Sequence, residues 1–199
     1  MEQKIFEWNR QFFHVILGAV IVALVMYGLL DWILMLAVII FGLILSYICK
    51  KARVPAVSYL LEKFERKDEL KKFPGKGTLF YFIGAFICVV LFQNEINIAL
   101  ASIMVLAFGD SISHIYGINY GKIEHPLSKT KFLEGTIAGI IFAFIGALVF
   151  LPWHEALIAS VIGMTVEAID FKIGAHQFDD NLLIPLASGI SVWVLRLII

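Results

Sequence analysis

Five short polar segments interrupt an otherwise apolar sequence, and their residue types could do chemistry. An ionisable residue in or beside hydrocarbon is costly, so several at one depth indicate a retained function rather than packing. If the apolar stretches between these segments cross a membrane, all five segments meet at one membrane face. They are Gly75-Lys76-Gly77, Gly109-Asp110-Ser111, residues 129–135, Glu167 and Asp179-Asp180-Asn181.

Acidic residues from three of these segments predict a metal site. Asp110 lies inside an apolar span, where a carboxylate must face a polar cavity, a metal or a partner. Glu167 precedes Asp170 by three residues near the end of another span, and the next loop leads to Asp179 and Asp180. Hard oxygen ligands from different helices are what Mg²⁺ prefers, usually with some water retained and substrate phosphates shared.

The alternative interpretation of Asp110 is purely structural. His114 lies four residues later on the same helix face, and Ser113 is close by. A hydrogen bond from either residue to a buried Asp110 carboxylate would only hold helices together. His114 by itself is typical of a structural hydrogen-bonding residue rather than of a metal ligand or base.

Two basic segments lie just before predicted spans and could bind phosphate. In the first, Gly75 and Gly77 flank Lys76, so backbone N–H groups at a helix start could meet a phosphate, although a simple turn is the alternative. The segment is not a Walker A loop, which has a different spacing. In the second, Lys129 and Lys131 flank a hydroxyl and precede a helix. This is the pattern of a nucleotide-phosphate clamp, although a charge run at a membrane boundary also serves as an anchor.

The composition excludes a soluble domain. Hydrophobic residues make up 60% of the chain and charged residues 16%, whereas apolar residues make up about 45–50% of a soluble domain. Since a membrane-crossing helix needs about 20 residues, we predict an all-α polytopic membrane protein with about seven transmembrane helices in one domain, residues 1–199. No small-residue cleavage site follows Leu30, so the first span is not predicted as a signal peptide. The spans lie near 13–30, 32–48, 78–93, 96–118, 135–151, 154–169 and 182–198.

The net charge is zero, but the basic residues lie in alternate connections. Nine of them fall between residues 50 and 76, whereas Arg196 alone is assigned to the far side. By the positive-inside rule the amino terminus is cytoplasmic and the carboxyl terminus is outside. Residues 60–72 are predicted as an amphipathic helix on the cytoplasmic membrane surface, with a solvated connecting helix as the alternative. Cys49 and Cys88 have no metal-ligand spacing and receive no redox or metal role.

At these residues the chain resembles the CTP-dependent lipid alcohol kinases, which include dolichol kinase, phytol kinase and the yeast-type diacylglycerol kinase. The resemblance covers most of the chain, and its last group is the most specific. It rests on Arg10 with His14, Pro74-Gly75-Lys76-Gly77, Gly109-Asp110 with Gly117 and Gly121, Lys131 with Glu134-Gly135, Glu167, and Asp180-Asn181-Leu182 with Ile184-Pro185-Leu186.

The chain departs from the family pattern at three positions. Gln11 stands where a second basic residue is common, and Leu183 stands where Thr is frequent. Phe132 replaces the hydroxyl residue that usually ends a Lys-Lys-Thr group, while Lys129 and Thr130 lie slightly upstream. These departures affect the expected phosphate contacts and leave the carboxylates unchanged.

The resemblance implies transfer of the γ-phosphate of CTP to the hydroxyl of a membrane lipid: a polyprenol or dolichol, a shorter isoprenoid alcohol, or diacylglycerol. Asp110 and Asp180 are then expected to bind Mg²⁺, with Glu167 as a further ligand or a base. The stretch 110–135 is the implied CTP-binding region. The expected nucleotide and cofactor contacts are Lys76, Gly77, Ser113, Gly117, Lys129, Thr130, Lys131, Glu134, Gly135 and Asn181.

Two other functions fit parts of the pattern. A phosphatidate cytidylyltransferase also has Gly-Asp-Ser and Lys…Glu-Gly groups, but its carboxy-terminal Pro-Gly-His-Gly-Gly signature is absent from this sequence. A proton-coupled transporter would need polar groups across the bilayer, whereas the outer halves of these spans are nearly all apolar. The expected partners are CTP, a lipid alcohol and the bilayer, without nucleic acid, and the oligomeric state is left open.

Overall fold

Helices form nearly all of the structure, a computed structural model that describes residues 2–52, 54–169, 172–173 and 176–199. The predicted all-α class is confirmed, and the only strands in the described chain form a two-residue hairpin. The elements are α1 Glu2–Met26, α2 Trp32–Lys51, α3 Pro55–Phe64, α4 Lys67–Lys72, α5 Lys76–Leu91, α6 Ile96–Met104, a π-helix Val105–Asp110, α7 Ser111–Tyr120, α8 Leu133–Ala147, α9 Trp153–Ala168, β1 Lys172–Ile173, β2 His176–Gln177 and α10 Asp180–Ile198.

Several helices are suited to a membrane, which confirms the predicted polytopic membrane class. Four described segments are long and apolar enough to cross it: Lys4–Met26, Trp32–Lys51, Ile96–Tyr120 and Asp180–Ile198. Helices α5 and α8 are apolar but shorter, and α9 has 16 residues. The count of seven spans therefore stays a prediction.

The first helix begins much earlier than the predicted span near 13–30. It starts at Glu2 and ends at Met26, and a turn containing Gly28 at a φ of +67° leads to α2. Glu7 and Arg10 therefore lie on the first turns of α1, on the same helix as the apolar residues that follow. Charged side chains at the entrance of the span are thereby fixed relative to the helix bundle.

The amphipathic segment is two short helices rather than the single helix predicted over 60–72. Helix α3 ends at Phe64, where Glu65 adopts an extended backbone with φ −116° and ψ 148°. The Glu65 carboxylate turns back to accept hydrogen bonds from the backbone N–H groups of Gly75, at 2.7 Å, and Gly77, at 3.3 Å. These hydrogen bonds provide the physical reason for the break between the two helices.

The span made of α6, the π-helix and α7 lies at the centre of the bundle. Its residues from Ile98 to Ile103 are all buried, and it contacts α1, α8, α9 and α10. By contrast, α2 buries only Met35, Ile39 and Ser46, so most of its apolar surface is available to lipid. Helix contacts in a membrane depend on close packing, because lipid is as apolar as the side chains.

The two ends of the bundle carry different charged clusters. At one end, the start of α5 meets the start of α10 through Lys76 and Asp179, 3.3 Å apart. At the other end, Arg196 bonds to Glu155 at 2.6 Å and also to Glu95. The chemistry-bearing segments of the sequence therefore collect at the end opposite Arg196.

Candidate active site

Three carboxylates from separate helices meet at one end of the bundle. Asp110, Glu167 and Asp180 each offer an oxygen atom, and these atoms all lie within 4.8 Å of one another. Glu167 is only 3% exposed, and its Oε2 atom has no hydrogen-bond partner among the described residues. A buried carboxylate oxygen normally has a partner. Three converging hard oxygen donors, one of them unpartnered, fit a divalent cation such as Mg²⁺.

The π-helix positions Asp110, its last residue. A π turn is rare and occurs mostly as a local distortion at functional sites. The preceding residue, Gly109, packs against α8 and α9, where an added Cβ would lie 2.5 Å from Met164 Sδ and 3.1 Å from Ala143 Cβ. The missing side chain lets the π-helix approach α9, and Glu167 lies three residues beyond Met164 on that helix.

Asp180 is positioned by the start of α10. Asp179 caps this helix, since its Oδ1 accepts hydrogen bonds from the Asn181 backbone N–H at 3.2 Å and from Asn181 Nδ2 at 2.8 Å. The other oxygen of Asp179 lies 3.3 Å from Lys76 Nζ. A side-chain cap of this kind satisfies backbone donors that the first helical turn leaves free. The first turn of α10, which carries Asp180, is thus tied to α5.

Lys131 supplies the positive charge inside the carboxylate cluster. Its Nζ lies 3.0 Å from Glu167 Oε1 and 3.1 Å from Asp180 Oδ2, and it also donates to the Glu167 backbone carbonyl. Burial opposes the charged form of Lys131, but the carboxylates of Glu167 and Asp180 outweigh burial and raise its pKa above the ordinary value. The ammonium group is therefore charged throughout the physiological pH range.

A second charged cluster surrounds Glu7. Its Oε2 lies 2.9 Å from Arg10 and 3.0 Å from His114 Nε2, while its Oε1 lies 3.2 Å from Arg66. His114 thus pairs with Glu7 on α1 and not with Asp110 one turn before it. Sequence reasoning missed Glu7 and Arg66 as site residues. The i,i+3 spacing of Glu7 and Arg10 is the one feature of the sequence that indicates this ion pair. Arg66 reaches Glu7 from a distant loop, so the sequence gives no sign of that contact.

One cavity of about 530 Å³ is lined by residues of both clusters. Arg10, Arg66 and His114 line it together with the three carboxylates, and Gln11 and His14 of α1 lie on its wall. Its volume falls within the usual range of ligand sites. The predicted site residues that line it are Lys76, Gly77, Asp110, Thr130, Lys131, Glu167, Asp180 and Asn181.

Comparison with curated proteins finds lipid kinases among the relatives. Phytol kinase 1 of Arabidopsis thaliana is 26% identical over 134 residues, which cover 60% of this chain and 43% of the relative. CTP-dependent diacylglycerol kinase 1 of Schizosaccharomyces pombe is 27% identical over 145 residues, covering 64% and 63%. A protein of uncharacterised function from Methanocaldococcus jannaschii is 32% identical over 183 residues, covering 90% and 88%. The chain is therefore a relative of phytol kinases and of a CTP-dependent diacylglycerol kinase.

The chain spans less than two thirds of the phytol and diacylglycerol kinases that it matches, at 43% and 63% of their lengths. It spans most of the archaeal relative. No family model matches the chain. No solved structure matches it either.

Five residues predicted as nucleotide contacts lie away from the charged cavity. Gly117, Gly135 and Ser113 lie where α7 crosses α8, and a Cβ added to Gly135 would lie 2.6 Å from the Ser113 carbonyl oxygen. The glycines therefore permit a close helix crossing. Glu134 accepts a 3.2 Å hydrogen bond from the Ile123 backbone N–H, and Lys129 is exposed on the same loop.

Two further expectations about the candidate site have different outcomes. The backbone N–H groups of Gly75 and Gly77, expected to meet a phosphate, already donate to the Glu65 carboxylate. An anion is therefore present at this helix start, but the chain itself supplies it. Asp170, expected beside Glu167, lies outside the described residues.

Proposed function

We propose that this protein transfers the γ-phosphate of CTP to the hydroxyl group of a membrane lipid alcohol, giving a lipid monophosphate and CDP. The convergence of Asp110, Glu167 and Asp180 with Lys131 in one cavity carries the proposal. Phosphoryl transfer needs little covalent chemistry from the protein, since positioning and charge neutralisation dominate catalysis. Carboxylates for a cation and fixed positive charges for phosphate are the two groups that such a site needs.

The carboxylates divide the work of metal binding and proton removal. Asp110 and Asp180 would hold Mg²⁺, which supplies charge neutralisation at the β- and γ-phosphates. Glu167 is a third ligand or the base that orients the attacking hydroxyl. Its buried, unpartnered Oε2 suits either role, because both give that oxygen a partner.

The cationic side chains around the cavity would bind the nucleotide phosphates. Lys76 and Lys131 provide point charges, and Arg10 and Arg66 provide planar guanidinium groups that can bind phosphate through two hydrogen bonds. Glu7 holds both guanidinium groups at the cavity before any ligand binds. This arrangement lowers the entropy cost of ordering them when the nucleotide binds.

The place of the cavity in the bundle suits an acceptor that stays in the bilayer. The cavity lies where apolar helices begin and end, so a hydroxyl at the membrane interface can reach it while its apolar tail remains in hydrocarbon. The charge distribution favours the cytoplasmic side for this end. CTP would then approach from the aqueous phase, and the lipid from the membrane.

The fate of one phosphorus atom tests the proposal. Purified protein is incubated with Mg²⁺, a mixture of lipid alcohols and phosphatidate, and CTP labelled at either the α- or the γ-phosphorus. The proposal expects label in lipid from the γ position only, with CDP as the co-product. Label from the α position, with pyrophosphate released, would contradict the proposal and favour CMP transfer. None of the relatives named above is called a cytidylyltransferase.

A further inference from the structure

A second, apolar cavity lies beside the charged one. It has a volume of about 300 Å³ and lies between α1, α2, α3 and α5. Its lining is almost wholly apolar and includes Phe13, Ile39, Gly42, Leu45, Leu61 and Leu79. We call it the α2 groove.

The α2 groove runs in the direction of a lipid chain. Its lining on α2 extends from Cys49, near the charged end of the helix, to Val38. These positions are 11 residues apart, which corresponds to about 16 Å along a helix axis. The groove therefore reaches from the membrane interface about halfway across a bilayer core of roughly 30 Å. Phe41 and Leu60 line it and remain 65% and 54% exposed, so it opens towards the lipid.

The α2 groove and the charged cavity share two walls. Phe13 lines the groove and the next residue, His14, lines the charged cavity. Gly75 likewise lines the groove, while Gly77 lines the charged cavity. A Cβ added to Gly77 would meet nothing within 4 Å, so open space adjoins this wall. No residue lines both cavities, but neighbouring residues of α1 and of the start of α5 line one cavity each.

Besides Glu167 Oε2, two buried polar atoms on the wall of the charged cavity have no partner among the described residues. They are Oε1 of Gln11, a residue that is 2% exposed, and Nδ1 of His14, a residue that is 7% exposed. An unpartnered buried polar atom destabilises a protein, and native structures seldom retain one without a reason. Both residues line the cavity on the side of α1. A hydroxyl group can donate to the Gln11 oxygen and bond to the His14 ring nitrogen.

We propose that the α2 groove holds the hydrocarbon chain of the acceptor alcohol, and that Gln11 and His14 bind its hydroxyl group. The inference rests on the proposed lipid kinase function and adds the place and class of the acceptor. The groove volume is at the lower end of the range for ligand sites, which fits one apolar chain. The acceptor class is therefore a single-chain lipid alcohol, rather than a two-chain diacylglycerol.

A matched pair of substitutions on α2 tests the groove. Leu45→Trp places a large ring inside the groove, whereas Leu43→Trp places the same ring on an exposed position that does not line it. With a single-chain alcohol at saturating CTP, Leu45→Trp is expected to raise the KM for the alcohol about tenfold. The KM for CTP should stay unchanged, and Leu43→Trp should match the parent protein in both constants. Equal alcohol KM values for the two variants would overturn the assignment.

A labelling experiment covers the case in which Leu45→Trp does not fold. The unaltered protein, in vesicles, receives a single-chain alcohol with a photoreactive diazirine near the end of its tail, and labelled peptides are located by mass spectrometry. Label on α2 between residues 38 and 49, reduced by excess unlabelled alcohol, supports the groove. Label spread over all lipid-exposed helices, without competition, contradicts it. Preferential phosphorylation of diacylglycerol would contradict the single-chain class.

Gln11→Leu and His14→Leu test the hydroxyl contacts. If these side chains were only structural, replacing an unpartnered polar group by an apolar one would raise thermal stability and leave activity unchanged. As acceptor ligands, they should instead give a higher KM for the alcohol and a normal KM for CTP, without loss of stability. Failure of the parent protein to phosphorylate any alcohol refutes the proposed function itself. An active parent with unaffected variants refutes only this inference.

Discussion

Lys131 and Glu167 form an ion pair in which the ammonium nitrogen lies 3.0 Å from the carboxylate oxygen Oε1. The same ammonium group lies 3.1 Å from Asp180, so one cation joins two of the three clustered carboxylates. Like charges held together repel, and the positive charge of Lys131 offsets that repulsion. Lys131 therefore has two roles. It keeps the carboxylates together, and it provides a positive charge where phosphate would bind.

Lys131→Met is expected to lower kcat/KM for CTP by about 100-fold. The reason is that the variant loses a fixed positive charge that would stabilise the negative charge on the phosphate in the transition state. Lys129→Met is the matched control, since Lys129 lies two residues earlier, is exposed and does not line the cavity. It should lose less than about threefold, in line with a screened surface charge. Steady-state kinetics with CTP and a lipid alcohol measure both.

The outcome separates a specific contact from a general basic patch. Equal losses for the two lysine variants would mean that the loop acts through its net charge, and would contradict the role of Lys131. A thermal unfolding measurement on each variant shows whether any loss of activity reflects loss of fold.

Asp110→Asn and Asp180→Asn are each expected to abolish turnover while the protein remains folded. Each change removes a negative charge and a metal ligand with little change in volume. Asp31→Asn, the control, lies at the start of α2, where the Asp31 side chain accepts a 2.8 Å hydrogen bond from the Leu34 backbone N–H. Asparagine caps helices as well as aspartate does, so activity should be unchanged. Full Mg²⁺-dependent activity in either site variant would contradict the metal assignment.

The sequence predicted that three carboxylates would lie together, because each falls within an apolar span or close to the end of one. Asp110 and Glu167 are visible as polar residues inside apolar spans, and Asp180 as one just before a span, and the structure brings all three together. The all-α membrane class followed from composition for the same reason. These predictions need only the local sequence, because the position of a residue along an apolar span gives its depth in the membrane.

Contacts between distant segments could not be predicted from the sequence. Glu65 bonds to backbone N–H groups ten and twelve residues later, and Arg66 reaches Glu7 across 59 residues. Gly135 was predicted as a nucleotide contact, but it serves a close helix crossing. A glycine in a motif indicates that the backbone approaches something closely, and the sequence does not say whether that neighbour is a ligand or a helix.

Arg66→Met is expected to raise the KM for CTP about tenfold, since charge-assisted hydrogen bonds to phosphate are lost. Lys63→Met is the control, because Lys63 lies near the end of helix α3, three residues before Arg66, and does not line the charged cavity. Its KM for CTP should stay within about twofold of the parent value, as for an exposed charge. If the lipid KM changed and the CTP KM did not, Arg66 would belong to the acceptor side.

Cysteines introduced at Asp31 and Lys63 are expected to react with a membrane-impermeant maleimide from opposite sides. The positive-inside rule predicts that Lys63 and the charged cavity lie on the cytoplasmic side and that Asp31 lies outside. Cys49→Ala provides the background, since Cys88 is completely buried and should not react. Labelling of both sites from one side of sealed vesicles would refute the proposed orientation.

Arg196→Met is expected to destabilise the protein without affecting the active site. Arg196 bonds to Glu155, which is 7% exposed, at the end of the bundle opposite the carboxylates. Removing the guanidinium group leaves a buried carboxylate without its partner, at a cost of about 1–2 kcal/mol after allowance for partial exposure. The KM values for CTP and lipid should not change.

A second substitution, Glu155→Gln, removes the unpaired charge, so Arg196→Met with Glu155→Gln should be more stable than Arg196→Met alone. Thermal unfolding in detergent measures both variants, and equal stabilities would show that the Glu155 carboxylate is solvated at this end of the bundle and does not depend on Arg196.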